Sequence, residues 1–263
     1  MDALIGYSGF VGTTLLRQHA FEQLYRSTNI GDIDRQSFHT VVCAGAPAQK
    51  WIANKEPDSD RQKIEGLIRH LNAMTCKMFV LISTVDVFKD PIDVDENSPV
   101  KESGLHAYGL HRRQLEQFVQ RHFPNHLIVR LPGLVGPGLR KNVIFDFLND
   151  NNLQSIDCRG HFQFYPMVNL WYDVQTALDA GLKLVHLTAE PISVGEISQL
   201  GFGKRFDHVL DISPATYDMR SRHATLFGSQ GGYQYSRRDT IQAVRAYAQS
   251  EPCALRTPQG PGV

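Results

Sequence analysis

The sequence predicts an α/β fold built on a doubly wound parallel sheet, and three observations carry that expectation. A short apolar run, Ala3, Leu4 and Ile5, feeds glycines at 6, 9 and 12 and then a helix-like run over 10–18. Apolar strand-like runs alternate with helical periodicity across roughly the first 130 residues, the pattern of right-handed βαβ units. Small residues follow two of those runs: Ala44, Gly45 and Ala46 after one, Pro132 and Gly133 after another. The expected fold is therefore Rossmann-like, with a small irregular C-terminal substrate-binding region. Residues 1–138 form the dinucleotide-binding portion and 139–250 a substrate-binding region interwoven with it. Residues 251–263, rich in proline and glycine, form a flexible tail.

The first turn explains the cofactor expectation. Gly6 lets the chain leave its strand sharply, and Gly9 lets backbone N–H groups approach a phosphate. Gly12 lets the new helix lie close to the strand, with its N-terminus facing a pyrophosphate. The cradle expected here comprises Gly6, Ser8, Gly9, Phe10, Val11 and Gly12. The spacing G-x-x-G-x-x-G differs from the commoner G-x-G-x-x-G, but it stands in the required strand–turn–helix setting.

Composition excludes several classes. Acidic and basic residues balance at 27 each, which argues against a nucleic-acid or membrane surface. No apolar run is long enough to span a bilayer, and the first strand begins at once, which leaves no leader. The four cysteines, 43, 76, 158 and 253, stand singly, so a reducing cytoplasm is expected and no metal site. His122 and His126 have a spacing that could suit a metal, but Pro124 breaks the helix between them.

The second strand, 21–25, ends in Arg26 and Ser27. NAD-binding folds place an acidic residue there for the adenosine ribose. A cation and a hydroxyl suit a 2′-phosphate instead, so NADP is the expected cofactor, with NADPH preferred over NADH. Asp32 and Ile33 complete the cofactor set on that side. The strand 39–44 carries Ala44, Gly45 and Ala46 at its end, leaving room for a cofactor. Residues 49–57 resist assignment, and 58–76 reads as one helix, with Ile64, Leu67, Ile68 and Leu71 in helical register. Residues 78–82 form the most strand-like run, 90–105 a long loop, 108–121 a helix and 127–131 a strand. Beyond that, 143–148, 170–182 and 238–248 read as helical and 184–187 as a strand.

Three constellations follow in chain order: the glycine turn, Ser83, Thr84, Val85, Asp86, Val87 and Phe88 after a buried strand, and Tyr108 with Gly109 opening a helix. Here the chain resembles the extended short-chain dehydrogenase/reductases, the NAD(P)-dependent epimerase/dehydratase superfamily. It is most similar to the dTDP-4-dehydrorhamnose reductase branch, whose S-T-D-Y-V-F stretch matches 83–88. Glu116, the Lys55, Glu56 and Pro57 segment, and Gly136, Pro137 and Gly138 also fall where that family has similar residues. The likeness covers 1–142 and thins afterwards.

The resemblance implies an NADP(H)-dependent reductase or epimerase acting on a nucleotide-linked keto-sugar. Thr84 then holds the reacting oxygen and Tyr108 is its acid or base. The family carries a lysine four residues after the tyrosine, to lower its pKa and hold the nicotinamide ribose. Arg112 stands there instead, and it keeps the charge without being able to release a proton. Arg112, Tyr108, Pro132 and Gly133 join the expected cofactor contacts. Asp86, Val87, Phe88, Arg140, Asn142 and Phe164 are the expected substrate contacts. The expected partner is a small molecule, a nucleotide-sugar, with a homodimer the one assembly left open. Arg112 and the short C-terminal region leave an alternative: a non-catalytic NADP-binding regulatory or scaffold protein of the same fold.

Overall fold

The computed structural model describes residues 1–229 and 231–252. The expected tail, 251–263, lies outside the described residues from 253 onward. Along the first half run β1 (Asp2–Ile5), α1 (Phe10–Gln18), β2 (Gln23–Tyr25), β3 (Ser37–Cys43), α2 (Lys50–Lys55), α3 (Pro57–Asn72), β4 (Thr75–Thr84), β5 (Ile92–Val94), α4 (Ala107–His122) and β6 (His126–Leu131). There follow β7 (Gly133–Val135), α5 (Val143–Asn149), β8 (His161–Phe162), β9 (Phe164–Pro166), α6 (Leu170–Asp179) and β10 (Leu184–His186). The chain closes with β11 (Ile192–Ser193), α7 (Val194–Glu196), β12 (Asp218–Met219) and α8 (Arg237–Ser250).

Six strands form one sheet in the order β10-β6-β4-β3-β1-β2, and every pairing in it is parallel. The fold is Rossmann-like and doubly wound, as expected. Strands covered on both faces read as near-continuous apolar runs, and their side chains alternate between two cores. Ala3, Ile5, Val41 and Cys43 face α3 and α4, beside Ile64, Leu71, Leu115 and Val119. Leu4, Val42, Val80 and Val129 face α1 and α6, beside Leu15, Leu170 and Val174. A third core, with Val135, Phe147, Ile192, Val244 and Tyr247, joins α5 and α8 to the segment after β6.

Three elements differ from the sequence expectation. The segment 73–76 leaves the helix because β4 starts early, Thr75 pairing with Ser37 of β3. The expected loop 90–105 contains β5, which exists because it pairs with β12 far downstream. The unassigned stretch 49–57 contains α2 and the first residue of α3, Pro57, at a helix-start position that suits its missing N–H. Among the described residues no helix is long and apolar enough to cross a membrane.

The topology positions the site. From β1 the chain passes to β2 on one side and then crosses to β3 on the other, so the carboxyl ends of β1 and β3 border a switch-point crevice.

Candidate functional site

The glycine turn sits at that crevice. Gly6 has φ +85°, and a Cβ there would lie 2.4 Å from the Ala44 carbonyl oxygen, so the turn lies directly against the end of β3. A Cβ on Gly12 would lie 2.1 Å from the Gly6 oxygen, which is the close helix-to-turn packing the motif needs. Gly9 differs: a Cβ there would meet only the Gly6 oxygen, at 3.5 Å. Ser8 and Gly9 are exposed, and α1 starts at Gly9 with no side chain capping its first turn. Those N–H groups at a helix start fit a pyrophosphate. Gly9→Val should therefore abolish dinucleotide binding and leave the melting temperature unchanged, since the added bulk points into the crevice rather than the fold. Cofactor fluorescence titration beside a thermal melt checks this, and an unchanged titration overturns it.

On the adenosine side, Arg26 and Ser27 are exposed at the end of β2. The Arg26 Nε donates to Thr28 Oγ1 at 3.0 Å, and its guanidinium carbon lies 5.8 Å from the centroid of the Tyr7 ring, at the lip of the turn. Asp32 is exposed beyond it, whereas the Ile33 side chain is fully buried in the core under α3. The Ile33 side chain packs in the core, so any cofactor contact from this position falls to its backbone. Ala44, Gly45 and Ala46 are half-buried at the end of β3. Pro132 is half-buried too, and Gly133 opens β7, where a Cβ would strike the Gln163 carbonyl at 2.7 Å.

Thr84 and Tyr108 come together where β4 ends and α4 begins. Thr84 is the last residue of β4, and its Oγ1 accepts from the Asp86 N–H at 3.1 Å. Tyr108 is the second residue of α4, is 9% exposed, and has its phenol near the Thr84 side chain, which helps to lower its pKa. Two contacts hold α4 there. The Tyr108 N–H donates to Asn54 Oδ1 of α2 at 3.0 Å, and Gly109 comes so close to the Asp86 carbonyl that a Cβ would sit 2.0 Å from it. His106 caps the helix, its Nδ1 accepting from the Gly109 N–H at 3.0 Å.

Deeper in, Glu116 is fully buried and gathers Ser83 Oγ at 2.6 Å and Arg130 at 2.7 and 2.9 Å, with Arg113 at 2.9 Å. Burial pushes its carboxyl up, but these donors outweigh it and hold it below the ordinary value. This network locks α4 to β4 and β6, so the Thr84–Tyr108 geometry rests on a rigid base.

Arg112 behaves differently from the expectation. Its guanidinium carbon lies 4.0 Å from the centroid of the Tyr108 ring, so the cation sits on the ring face. Its Nη donors, however, go to protein: Nη1 to Asp60 Oδ2 at 2.5 Å and to the Tyr108 carbonyl, Nη2 to Asp60 Oδ1 at 2.9 Å and to the Pro47 carbonyl, while Nε is buried with no hydrogen-bond partner among the described residues. The His111 Nδ1 also meets Asp60, at 2.7 Å, and all three side chains are 4% exposed or less. The arginine fork is thus tied to a buried carboxylate of α3 rather than turned toward the crevice. Burial pushes the Tyr108 phenol above its ordinary value, Arg112 pulls it down, and burial prevails. The expected lowering is one contribution among several and not the net direction.

Sequence reasoning missed two side chains that converge here, Lys50 and Tyr217. Lys50 Nζ, from the start of α2, meets Asp86 Oδ1 at 2.6 Å and the Tyr217 hydroxyl at 3.3 Å. Tyr217 comes from the irregular C-terminal part and stacks on Phe162. Lys141 reaches the Ala48 carbonyl across the crevice mouth. No local pattern announced Lys50 or Tyr217, because each arrives from a separate part of the chain.

The expected substrate contacts divide. Asp86 faces the cluster and Arg140 is exposed. Val87 is fully buried and Phe88 is buried between Arg130 and His186, so both are core residues. Phe164 is buried in the third core, and Asn142 caps α5, its Oδ1 accepting from the Ile144 N–H at 2.9 Å while its amide donates to Leu134. The side chains of these four residues are engaged in the protein's own packing and capping.

No family model matches the sequence, and no curated protein matches it. Solved structures do match in fold. A dTDP-4-dehydrorhamnose reductase from Clostridium acetobutylicum is 17% identical with a TM-score of 0.68, covering 95% of this chain and 99% of that one. WbmG of Bordetella bronchiseptica, in complex with NAD, is 15% identical with a TM-score of 0.70, covering 94% and 93%. RMD of Pseudomonas aeruginosa, complexed with NADPH, is 16% identical with a TM-score of 0.67, covering 95% and 99%. At such identities the likeness establishes the fold, over nearly the whole of each chain.

Proposed function

We propose that this chain is an NADP(H)-dependent reductase or epimerase acting on a keto-sugar carried on a nucleotide. The observation that carries the reading is the meeting of the Thr84 and Tyr108 side chains at the carboxyl end of β4, in a fold whose glycine turn fits a dinucleotide. A nicotinamide cofactor, held by the glycine turn, would supply or accept the hydride. Thr84 donates to the carbonyl oxygen as it gains charge, and Tyr108 gives that oxygen its proton. In the reduction the carbonyl carbon takes the hydride, the C=O becomes C–OH, and water reprotonates the phenolate. Mixing the protein and NADPH with a panel of nucleotide-linked keto-sugars, and following NADPH oxidation, tests the reading.

NADPH preference rests on Arg26. The solved neighbours include one with NAD and one with NADPH, so the choice lies with this chain's own residues. A charge-assisted contact to the 2′-phosphate contributes about 1.5–3 kcal/mol, roughly ten- to a hundred-fold in affinity. Arg26→Ala should weaken NADPH by that factor and leave NADH unchanged. Calorimetry of both cofactors checks it, and an equal loss for both would reduce Arg26 to a loop residue.

The tying of Arg112 to Asp60 favours a second reading, a protein that binds NADP without turning over substrate. In that case the panel stays silent while NADPH still binds at the glycine turn.

A further inference from the structure

The family resemblance places a free lysine beside the tyrosine, and Arg112 does not act as one, because both its Nη nitrogens are spent on Asp60 and on two carbonyls and its Nε is buried. We propose that Lys50 takes over that work, as a positioning residue that reaches Tyr108 from α2 and sets its charge environment. The proposal rests on reading Tyr108 as the acid–base group.

The placement is geometric. The Lys50 ammonium is held at 2.6 Å by Asp86, whose own N–H donates to Thr84 Oγ1, the hydroxyl that meets Tyr108. The helix that carries Lys50 is pinned to α4 by the bond from the Tyr108 N–H to Asn54. Lys50 therefore cannot shift relative to Tyr108 without breaking that link. It also differs from Arg112 in access: its side chain is 39% exposed, against 3% for Arg112. An ammonium has three donors, and two are used here, on Asp86 and Tyr217. The third is left for an oxygen arriving between Thr84 and Tyr108.

The other charged and titratable groups around Tyr108 are Asp86 after β4, His106 and Arg112 of α4, Tyr217 from the C-terminal part, and Lys141 at the mouth, with Asp60 and His111 behind Arg112. Burial pulls the Lys50 ammonium down, but Asp86 and Tyr217 outweigh it and keep it charged beyond its ordinary range. Lys50 thus acts as a standing charge. Its removal strips a cation from the site and also leaves Asp86 without that partner, and both changes disfavour the phenolate.

The experiment follows Tyr108 directly in the full chain labelled with 13Cζ-tyrosine, its signal assigned by Tyr108→Phe. At one alkaline pH where the protein is folded, Lys50→Met should lower the phenolate fraction of Tyr108 about tenfold, a shift of about one pKa unit. Lys50→Arg should restore it. Equal fractions in the wild type and Lys50→Met, or no recovery in Lys50→Arg, overturn the proposal. Because Lys50 is partly exposed, neither variant threatens the fold. The titration needs no substrate, so it separates the two failures. Normal turnover by Tyr108→Phe sinks the acid–base reading, and an unmoved Tyr108 signal sinks only the role of Lys50.

Discussion

Tyr108→Phe should lower turnover by about 10²- to 10⁴-fold, the usual contribution of a positioned acid or base, with cofactor affinity unchanged. Only the hydroxyl is lost. The ring stays packed beneath the Arg112 guanidinium, and the backbone N–H stays on Asn54, so the fold has no reason to move. The direction of the Tyr108 shift adds a pH signature. Burial keeps the phenol protonated at neutral pH, which suits the donation of a proton during reduction. The reverse reaction needs the phenolate, so it should gain rate as the pH is raised above neutrality while the reduction does not. Initial rates in both directions, beside a cofactor titration, measure this. Full turnover by the phenylalanine variant removes Tyr108 from the chemistry.

The largest effect on stability should come from Asp60→Ala. Removing one partner of a buried pair costs about 3–5 kcal/mol, because the other charge stays buried and unpaired. At about 2–4 °C per kcal/mol for a chain of this size, the melting temperature should fall by roughly 6–20 °C. Asp60→Leu combined with Arg112→Met removes both charges and should recover most of that loss. The pH dependence has a definite sign. Burial pushes the Asp60 carboxyl up, but the bonds from Arg112 and His111 outweigh it and hold it below its reference value of 3.8. A depressed folded value means that the unfolded chain takes up the proton first. The contribution is then complete above 3.8 and is lost as the pH falls through the folded value. Melting curves of the single and double variants across that range check both statements. A single variant no less stable than the double one would show that the pair is not what holds α3 to α4.

Local spacing made much of this molecule legible. The first strand, the glycine turn and the helix from Phe10 to Gln18 stand where the sequence put them, because the turn's conformation and the helix's apolar face are written in neighbouring residues. Thr84 and Tyr108 could be found for the same reason, one at the end of the most apolar strand and the other at a helix start. The burial of the Ile33, Val87, Phe88 and Phe164 side chains was not legible in the same way. A motif position identifies a stretch of chain, but which side of the backbone faces the crevice depends on what packs against it.

Charge partners were not legible at all. Asp60 meets Arg112 across 52 residues, Lys50 meets Asp86 across 36, and Tyr217 meets Asp86 across 131. The sequence alone determined the parallel sheet, the crevice and the two hydroxyls beside it, since these follow from periodicity and from glycine sterics over a few residues. Only the tertiary structure decided which cation pairs with Asp86 next to Thr84 and which with Asp60 behind Tyr108. That choice depends on loops from four separate crossovers converging at one end of the sheet, where a pairing is set by distance and burial, and sequence separation carries no record of either.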